Sequence, residues 1–454
     1  MMTTTVTAPP STHPVRLALR GDLLDFVGTP AWGALDDPAV RFRPDHWLLI
    51  EDGRIAGVQI DEPDARWTRE DHRGRLILPG FIDTHVHCPQ LDVIASYGAE
   101  LLDWLNTYTF PAELRYADPA VARRGAERFL DALLAHGTTS ALVFPTVHKV
   151  SAETLFEAAR QRGMRLLTGK VLMDRHAPDG LRDDVNQARR DCEDLISRFH
   201  GQGRLGYAVT VRFAPTSTPE QLAMAGDLCR QDPSLYMQTH VAENRAEVDW
   251  VARLFPEARS YLDVYDRVGL LHERAVLAHG IWLDVQDRAM LAQRGSQVAF
   301  CPSSNLFLGS GLFDWEAARA AGFAVSLASD VGGGTSLSTQ RTLGDAYKVQ
   351  ALAGRRLTAW AGLHAATLGA AQGLGLSDEI GHFGVGTLAD VCTWDWAQGP
   401  VAEARFAVAR ELHEKVFAWM TLSDERNLAA AYVAGVARHR RPDARQPASL
   451  TPTP

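Results

Sequence analysis

From Leu76 to Ile380 the chain alternates short β-rich apolar runs with longer stretches that carry apolar residues at helical spacing. Strand and helix in regular alternation is the pattern of βα units wrapped around a parallel sheet. Eight strands can be placed: Leu76 to Thr84, Thr138 to Phe144, Arg165 to Met173, Leu205 to Phe213, Leu235 to His240, Ala275 to His279, Gln297 to Cys301 and Phe323 to Ser329. Between them, stretches such as 120–135, 181–199 and 284–293 have the 3.6-residue periodicity and charged outer faces of covering helices. Eight parallel strands close a barrel, whereas an open doubly wound sheet wants a glycine-rich phosphate turn after its first strand. Pro89-Gln90 stands there instead, so the predicted fold is a (β/α)8 TIM-type barrel over residues 78–381.

The flanks read differently. Residues 13–77 and 382–441 show short apolar runs broken by Gly, Pro and Asp, which predicts one β-sandwich built from both chain ends. Residues 1–12 and 442–454 are too poor in apolar side chains to bury and are expected to be disordered tails. The basic run Arg438-His439-Arg440-Arg441 is expected to be solvated with the tail. A net charge of −9 opposes a nucleic-acid partner, and no apolar stretch is long enough to cross a bilayer. Five widely spaced cysteines without a Cys-x-x-Cys pair, and an N-terminus without the features of a secretory signal, point to a reducing, cytoplasmic setting.

In such barrels reactive groups sit at the C-terminal ends of strands, where the βα loops converge. His85 and His87 end the first strand on one face, with Val86 and then Cys88 turned to the other. His240 ends the fifth strand, His279 the sixth and Asp330 the eighth. Imidazole nitrogen and carboxylate oxygen suit zinc, which lowers the pKa of a bound water toward neutrality. Three histidines and one aspartate fit such a site, and Asp330 beside that water could take its proton. Glu243, three residues after His240, is within reach to shuttle a proton, although a glutamate just past a strand also commonly caps the next helix. His279 is expected to hydrogen-bond the metal-bound water, with a satisfied buried histidine as the alternative.

Longer stretches carry a family resemblance. Pro79 through His87 followed by Pro89-Gln90, Asp103-Trp104-Leu105, Tyr108 through Glu113, Gly169-Lys170-Val171, Met173-Asp174, Arg212-Phe213, His240 through Arg245, Cys301 through Leu306 and Ser329 through Gly333 are similar to the amidohydrolase superfamily. Within it they resemble the guanine-deaminating barrel enzymes. The His-x-His and the distal Asp are shared across the superfamily; Tyr-Thr-Phe-Pro-Ala-Glu, Arg-Phe and Asp-Val-Gly-Gly are the more specific. The resemblance implies one zinc per chain held by His85, His87, His240 and Asp330, guanine contacts from Gln90, Arg212 and Phe213, Glu243 as proton shuttle, and a homodimer. It also implies hydrolytic deamination of guanine to xanthine, with metal-bound hydroxide attacking C2. Guanine offers O6 and N7 as acceptors, which a guanidinium matches with two donors, and its flat ring suits stacking on Phe213. A side-chain amide such as Gln90 both donates and accepts.

One departure stands out: Val211 occupies a position where the family usually has Pro, which frees a backbone dihedral before Arg212. Lys170 ends a strand, as does the bridging lysine of binuclear relatives, but its surroundings resemble those of mononuclear deaminases. His136, His148 and His176 read as supporting or surface residues. The zinc signature of cytidine-type deaminases and a nucleotide P-loop are both missing. Two alternatives stay open: a deaminase or chlorohydrolase acting on a pterin, a triazine or an adenine derivative, and a metal-free scaffold. Against adenine stands Arg212, since a 6-amino group donates where O6 accepts.

Overall fold

The computed structural model describes residues 14–97 and 101–442, so the expected tails at 1–12 and 442–454 lie, apart from Pro442, outside the described residues. Strands β1 (Arg16–Phe26), β2 (Val40–Glu51), β3 (Arg54–Gln59) and β4 (Thr68–Pro79) come first. The central strands are β5 (Phe81–His87), β6 (Thr138–Phe144), β7 (Arg165–Thr168), β8 (Val171–Leu172), β9 (Leu205–Val211), β10 (Tyr236–Val241), β11 (Ala275–His279), β12 (Gln297–Phe300) and β13 (Val325–Leu327). The chain ends with β14 (Val391–Asp395), β15 (Leu428–Val433) and β16 (Val436–Arg440).

The central strands form the barrel, in the order β5-β6-β7-β9-β10-β11-β12-β13, with β8 also pairing with β9. Every pairing is parallel. The seam closes between the first strand and the last: Thr84 Oγ1 lies 2.8 Å from Ser326 Oγ, Asp330 N donates to His85 O at 2.9 Å, and His87 N donates to Val331 O at 2.9 Å. The strands from the two chain ends form a second sheet in the order β16-β15-β14-β4-β1-β2-β3.

Two predicted strands divide. The run Leu76 to Thr84 is not one strand: it spans the end of β4, in the terminal sheet, and the start of β5, in the barrel. The break falls at Gly80, where a Cβ would lie 2.2 Å from Thr139 Oγ1, so only glycine lets the chain pass that close to the barrel wall. Likewise Arg165 to Met173 divides into β7 and β8 around Gly169, where a Cβ would meet Ala208 O at 2.0 Å. An unbroken apolar run carries no sign of such a break, because both halves are buried.

Helices cover the barrel as the periodicity predicts. Helix Pro119–Ala135 starts with proline at its first position and Asp118 accepting from Ala120 N, and buries Phe129, Leu130 and Leu133. The terminal sheet shares this outer core: the Trp394 ring lies 5.6 Å from Phe81 and 5.6 Å from Trp419. Burying one such ring is worth on the order of 5 kcal/mol of transfer free energy, which locks sheet to barrel. The basic run is also not solvated tail. Arg440 pairs with Glu70 at 2.7 Å and Arg441 with Asp395 at 2.6 Å, because β16 adds to the sheet edge and brings both arginines over acidic residues.

Candidate active site

Side-chain alternation explains two of the inward-pointing polar strand ends. In β9 Ala208 faces the barrel interior, and Arg212 follows it four residues on, just past the strand; in β10 Tyr236 faces inward and His240 follows in the same phase. The first strand needs more. Ile82 faces the interior, yet so do His85 and His87, because the β5–β6 register shifts between Asp83 and Val86. Such irregularities re-aim side chains at barrel rims. Val86 and Cys88 then pack outward into the layer between barrel and helices.

These elements bring four donors together. One ligand atom from each of His85, His87, His240 and Asp330 lies within 4.8 Å of the others. The Nε2 atoms of His85 and His87 are 3.2 Å apart and lie 3.3 and 3.2 Å from Asp330 Oδ1. His240 Nδ1 donates to Arg212 O at 2.6 Å, which turns its Nε2 inward. Burial holds all three imidazoles below the usual histidine range, His87 at about 3, so each keeps a lone pair for a metal. Burial alone would raise the Asp330 carboxyl, but its contacts with His85 and His87 hold it well below the usual range. Neutral nitrogens converging on one carboxylate oxygen form a donor set that could hold a metal ion.

Around that cluster sit the groups that could move protons. Glu243 is buried, accepts from Ser310 Oγ at 2.9 Å, and lies 3.4 Å from His279 Nε2. Burial and the charge of Asp330 push its carboxyl up to about 8. Its capping role is taken by others: Asn244 accepts from Ala246 N, and Glu247 reaches back to the backbone of Glu243 and Asn244, closing a capping box. Glu243 is thereby left free for the cavity. His279 gives Nδ1 to Asn305 Oδ1 at 2.8 Å, so Nε2 is the nitrogen that faces Glu243 and, at 3.7 Å, Asp330.

The cavity beside the donors encloses roughly 430 Å³, counting the space at its open mouth, the small end of the range for ligand sites. Gln90, Arg212 and Phe213 line one side and Trp104, Leu105 and Leu308 add apolar surface. Arg212 Nη1 donates to Glu113 Oε1 at 2.6 Å and Gln90 Oε1 accepts from Gly332 N at 3.1 Å. The looseness expected from Val211 is countered on both sides of Arg212, whose backbone N donates to Leu172 O at 3.3 Å. Lys170 stands apart from the donors, its ammonium paired with Asp183 at 2.5 Å. Of the other histidines, His136 bonds Ala132 O at 2.7 Å and His176 bonds Pro215 O at 2.7 Å, both supporting turns.

Several contributors carried no assigned role in the sequence. Glu113, Asp83, Asn305 and Gly332 lie inside motifs that resemble the family, so their positions were visible but not their contacts. Asp83 accepts from Ser329 Oγ at 2.5 Å and from the backbone N of Ser329 and His85 at 3.2 Å each, joining the strand of His85 to the loop of Asp330. Gly332 must lack a side chain because a Cβ would meet Gln90 O at 2.7 Å. Ser310 lay in no motif, and no spacing marks it.

The chain is similar to known proteins over most of its length. The amidohydrolase family model matches residues 76–437. A guanine deaminase of Escherichia coli (strain K12) is 43% identical over 429 residues, covering 92% of this chain and 96% of the relative. A solved E. coli guanine deaminase structure superposes with a TM-score of 0.90 at 41% identity, over 94% of this chain and 99% of that one. A guanine deaminase from C. acetobutylicum, solved with guanine in its active site, superposes with a TM-score of 0.83 at 26% identity, over 93% and 99%.

Proposed function

The chain belongs to the amidohydrolase family, and from that membership we propose that it hydrolyses guanine to xanthine and ammonia. The observation that carries the proposal is the sharing of one cavity: His87, His240 and Asp330 of the donor cluster, Glu243 and the Gln90–Arg212–Phe213 wall all line the same space. His85, His87, His240 and Asp330 would hold one zinc ion. When bound, such an ion would supply a nucleophile from water near neutral pH.

The chain's own residues do the rest. Arg212 and Gln90 orient the purine by its O6 and N7 edge, and Phe213 and Trp104 exclude water around the ring. Glu243, proton-bearing around neutrality because of its burial, delivers a proton to the ring nitrogen beside C2 and then one to the departing amine. The new C2–O bond replaces the C2–N bond and the amine leaves as ammonia, while the water's two protons, taken up by Asp330 and His279, are passed to Glu243, which so donates twice and ends in its starting state. A homodimer in a reducing compartment completes the proposal; five buried, unpaired cysteines suit that setting.

The test is a substrate panel followed by ultraviolet absorbance and ammonia release. Guanine turnover that ceases on chelation and returns with zinc is expected. Turnover of a pterin or triazine with none on guanine would overturn the substrate, and failure of chelation to matter would overturn the metal chemistry. Sedimentation of the purified protein checks the dimer, and a monomer at micromolar concentration would remove it.

A further inference from the structure

Glu113 lies behind the cavity rather than in it. It belongs to the short helix Phe110–Leu114, which follows one π-helical turn at Leu105–Thr109, and its side chain is 0% exposed. Its Oε1 receives Arg212 Nη1 at 2.6 Å and faces Gln90 Nε2 at 3.5 Å, while its Oε2 is enclosed without a hydrogen-bond partner among the described residues. One carboxylate therefore touches both polar groups that line the substrate side.

A carboxylate offers only lone pairs, so both neighbours must present N–H to it. For Gln90 this fixes which end of the amide points where: Nε2 toward Glu113 and Oε1 toward the Gly332 N–H, whereas the flipped amide would set acceptor against acceptor and donor against donor. For Arg212 it fixes the plane of the guanidinium and leaves the remaining donors to the cavity that the residue lines. The charge of the buried guanidinium is balanced at the same atom.

We propose that Glu113 is the positioning residue that selects the ring, by locking Gln90 and Arg212 into a donor edge that accepts an oxo group and refuses an amino group at purine position 6. The inference rests on the assignment of guanine as substrate. Glutamine at 113 is close in shape but brings an amide that donates as well as accepts. Gln90 then keeps only the Gly332 N–H to hold its amide one way round, and the guanidinium of Arg212 loses its fixed plane, so the donor edge loosens and discriminates less against a 6-amino group.

The discriminating pair of substrates is guanine and 2,6-diaminopurine, which share the 2-amino leaving group and differ at position 6. With Glu113→Gln in the metal-loaded protein, kcat/KM for guanine is expected to fall at least about tenfold, mainly through KM, and the preference for guanine over diaminopurine to shrink by a similar factor. Zinc content should stay near wild type while the melting temperature of Glu113→Gln falls because the buried guanidinium loses its counter-charge, and Glu113→Asp, which keeps the charge, should retain more of the preference than Glu113→Gln. Equal losses on both purines, or an unchanged guanine KM and preference, would overturn the selection role. Should Glu113→Gln not fold, Glu113→Asp decides: an unaltered preference together with an unaltered guanine KM would overturn it too. Wild-type protein inert on guanine would instead overturn the substrate assignment itself, and this inference with it.

Discussion

Glu243 and Gly332 show how narrow the tolerances are at single positions. Glu243 points its carboxyl between Ser310 and His279, outside the donor cluster, so replacing it by glutamine leaves the metal ligands intact. Glu243→Gln should keep its zinc, measured by metal analysis, and lose about 10²- to 10⁴-fold in kcat. An unchanged rate would remove Glu243 from proton transfer. Gly332→Ala acts through backbone contact: its new methyl would press on Gln90 O, which cannot rotate away. A loss of about tenfold or more in kcat/KM for guanine is expected, with metal retained. Wild-type kinetics in that variant would mean that Gln90 does not orient the ring.

At the scale of elements the decisive feature is the seam between β5 and β13. Two of the proposed metal donors, His85 and His87, sit on one side of it and Asp330 on the other. Asp330 adopts a φ of 49°, uncommon for a residue with a side chain, and its backbone is held by bonds from its own N to His85 O and from Gly334 N to its O. Asp83 spans the seam through Ser329. Asp83→Asn should weaken metal affinity about 10- to 100-fold, read by chelator competition, while the far-ultraviolet spectrum stays native. Affinity equal to wild type would show that the backbone bonds alone hold the seam. Much here was legible in the sequence: β6 and β11 match their predicted limits, His240 falls at the end of its strand as expected, and Arg212 lies in a motif of the family resemblance. The rest depends on events that period does not record. The register shift at Asp83–Val86 re-aims the histidine pair, and the alternation breaks again at His279, which faces inward although Ala278 does too. Glu113 could be seen as part of a motif, but its contact with Arg212 joins residues far apart in the chain.

Across the whole molecule, barrel and terminal sheet stand or fall together, since Trp394, Phe81 and Trp419 share one core. An acid-sensitive clasp lies in that sheet. Burial would raise the Glu70 carboxyl, but bonds from His72, Arg440 and Tyr432 outweigh it and hold it at about 2. A carboxyl depressed in the folded state stabilises fully above its unfolded pKa, near 4.5, and loses that contribution as pH falls toward 2. Wild type should therefore melt above Glu70→Gln at pH 6 and the difference should narrow as pH drops from about 5 to about 3; a gap that is constant with pH would contradict this. The terminal strands also show why their arginines looked like tail: a short edge strand rich in charge has the composition of a solvated end, and only pairing with β15 brings Arg440 and Arg441 over Glu70 and Asp395.

In the proposed function one metal, held at the barrel mouth, drives hydrolysis of guanine in the cavity beside it. Titrating metal-stripped protein with zinc while following conversion of guanine to xanthine measures this most directly. Turnover should be absent at the start, rise linearly, and level off at one zinc per chain. Guanine turnover in the stripped protein, or none at any zinc loading, would contradict the account.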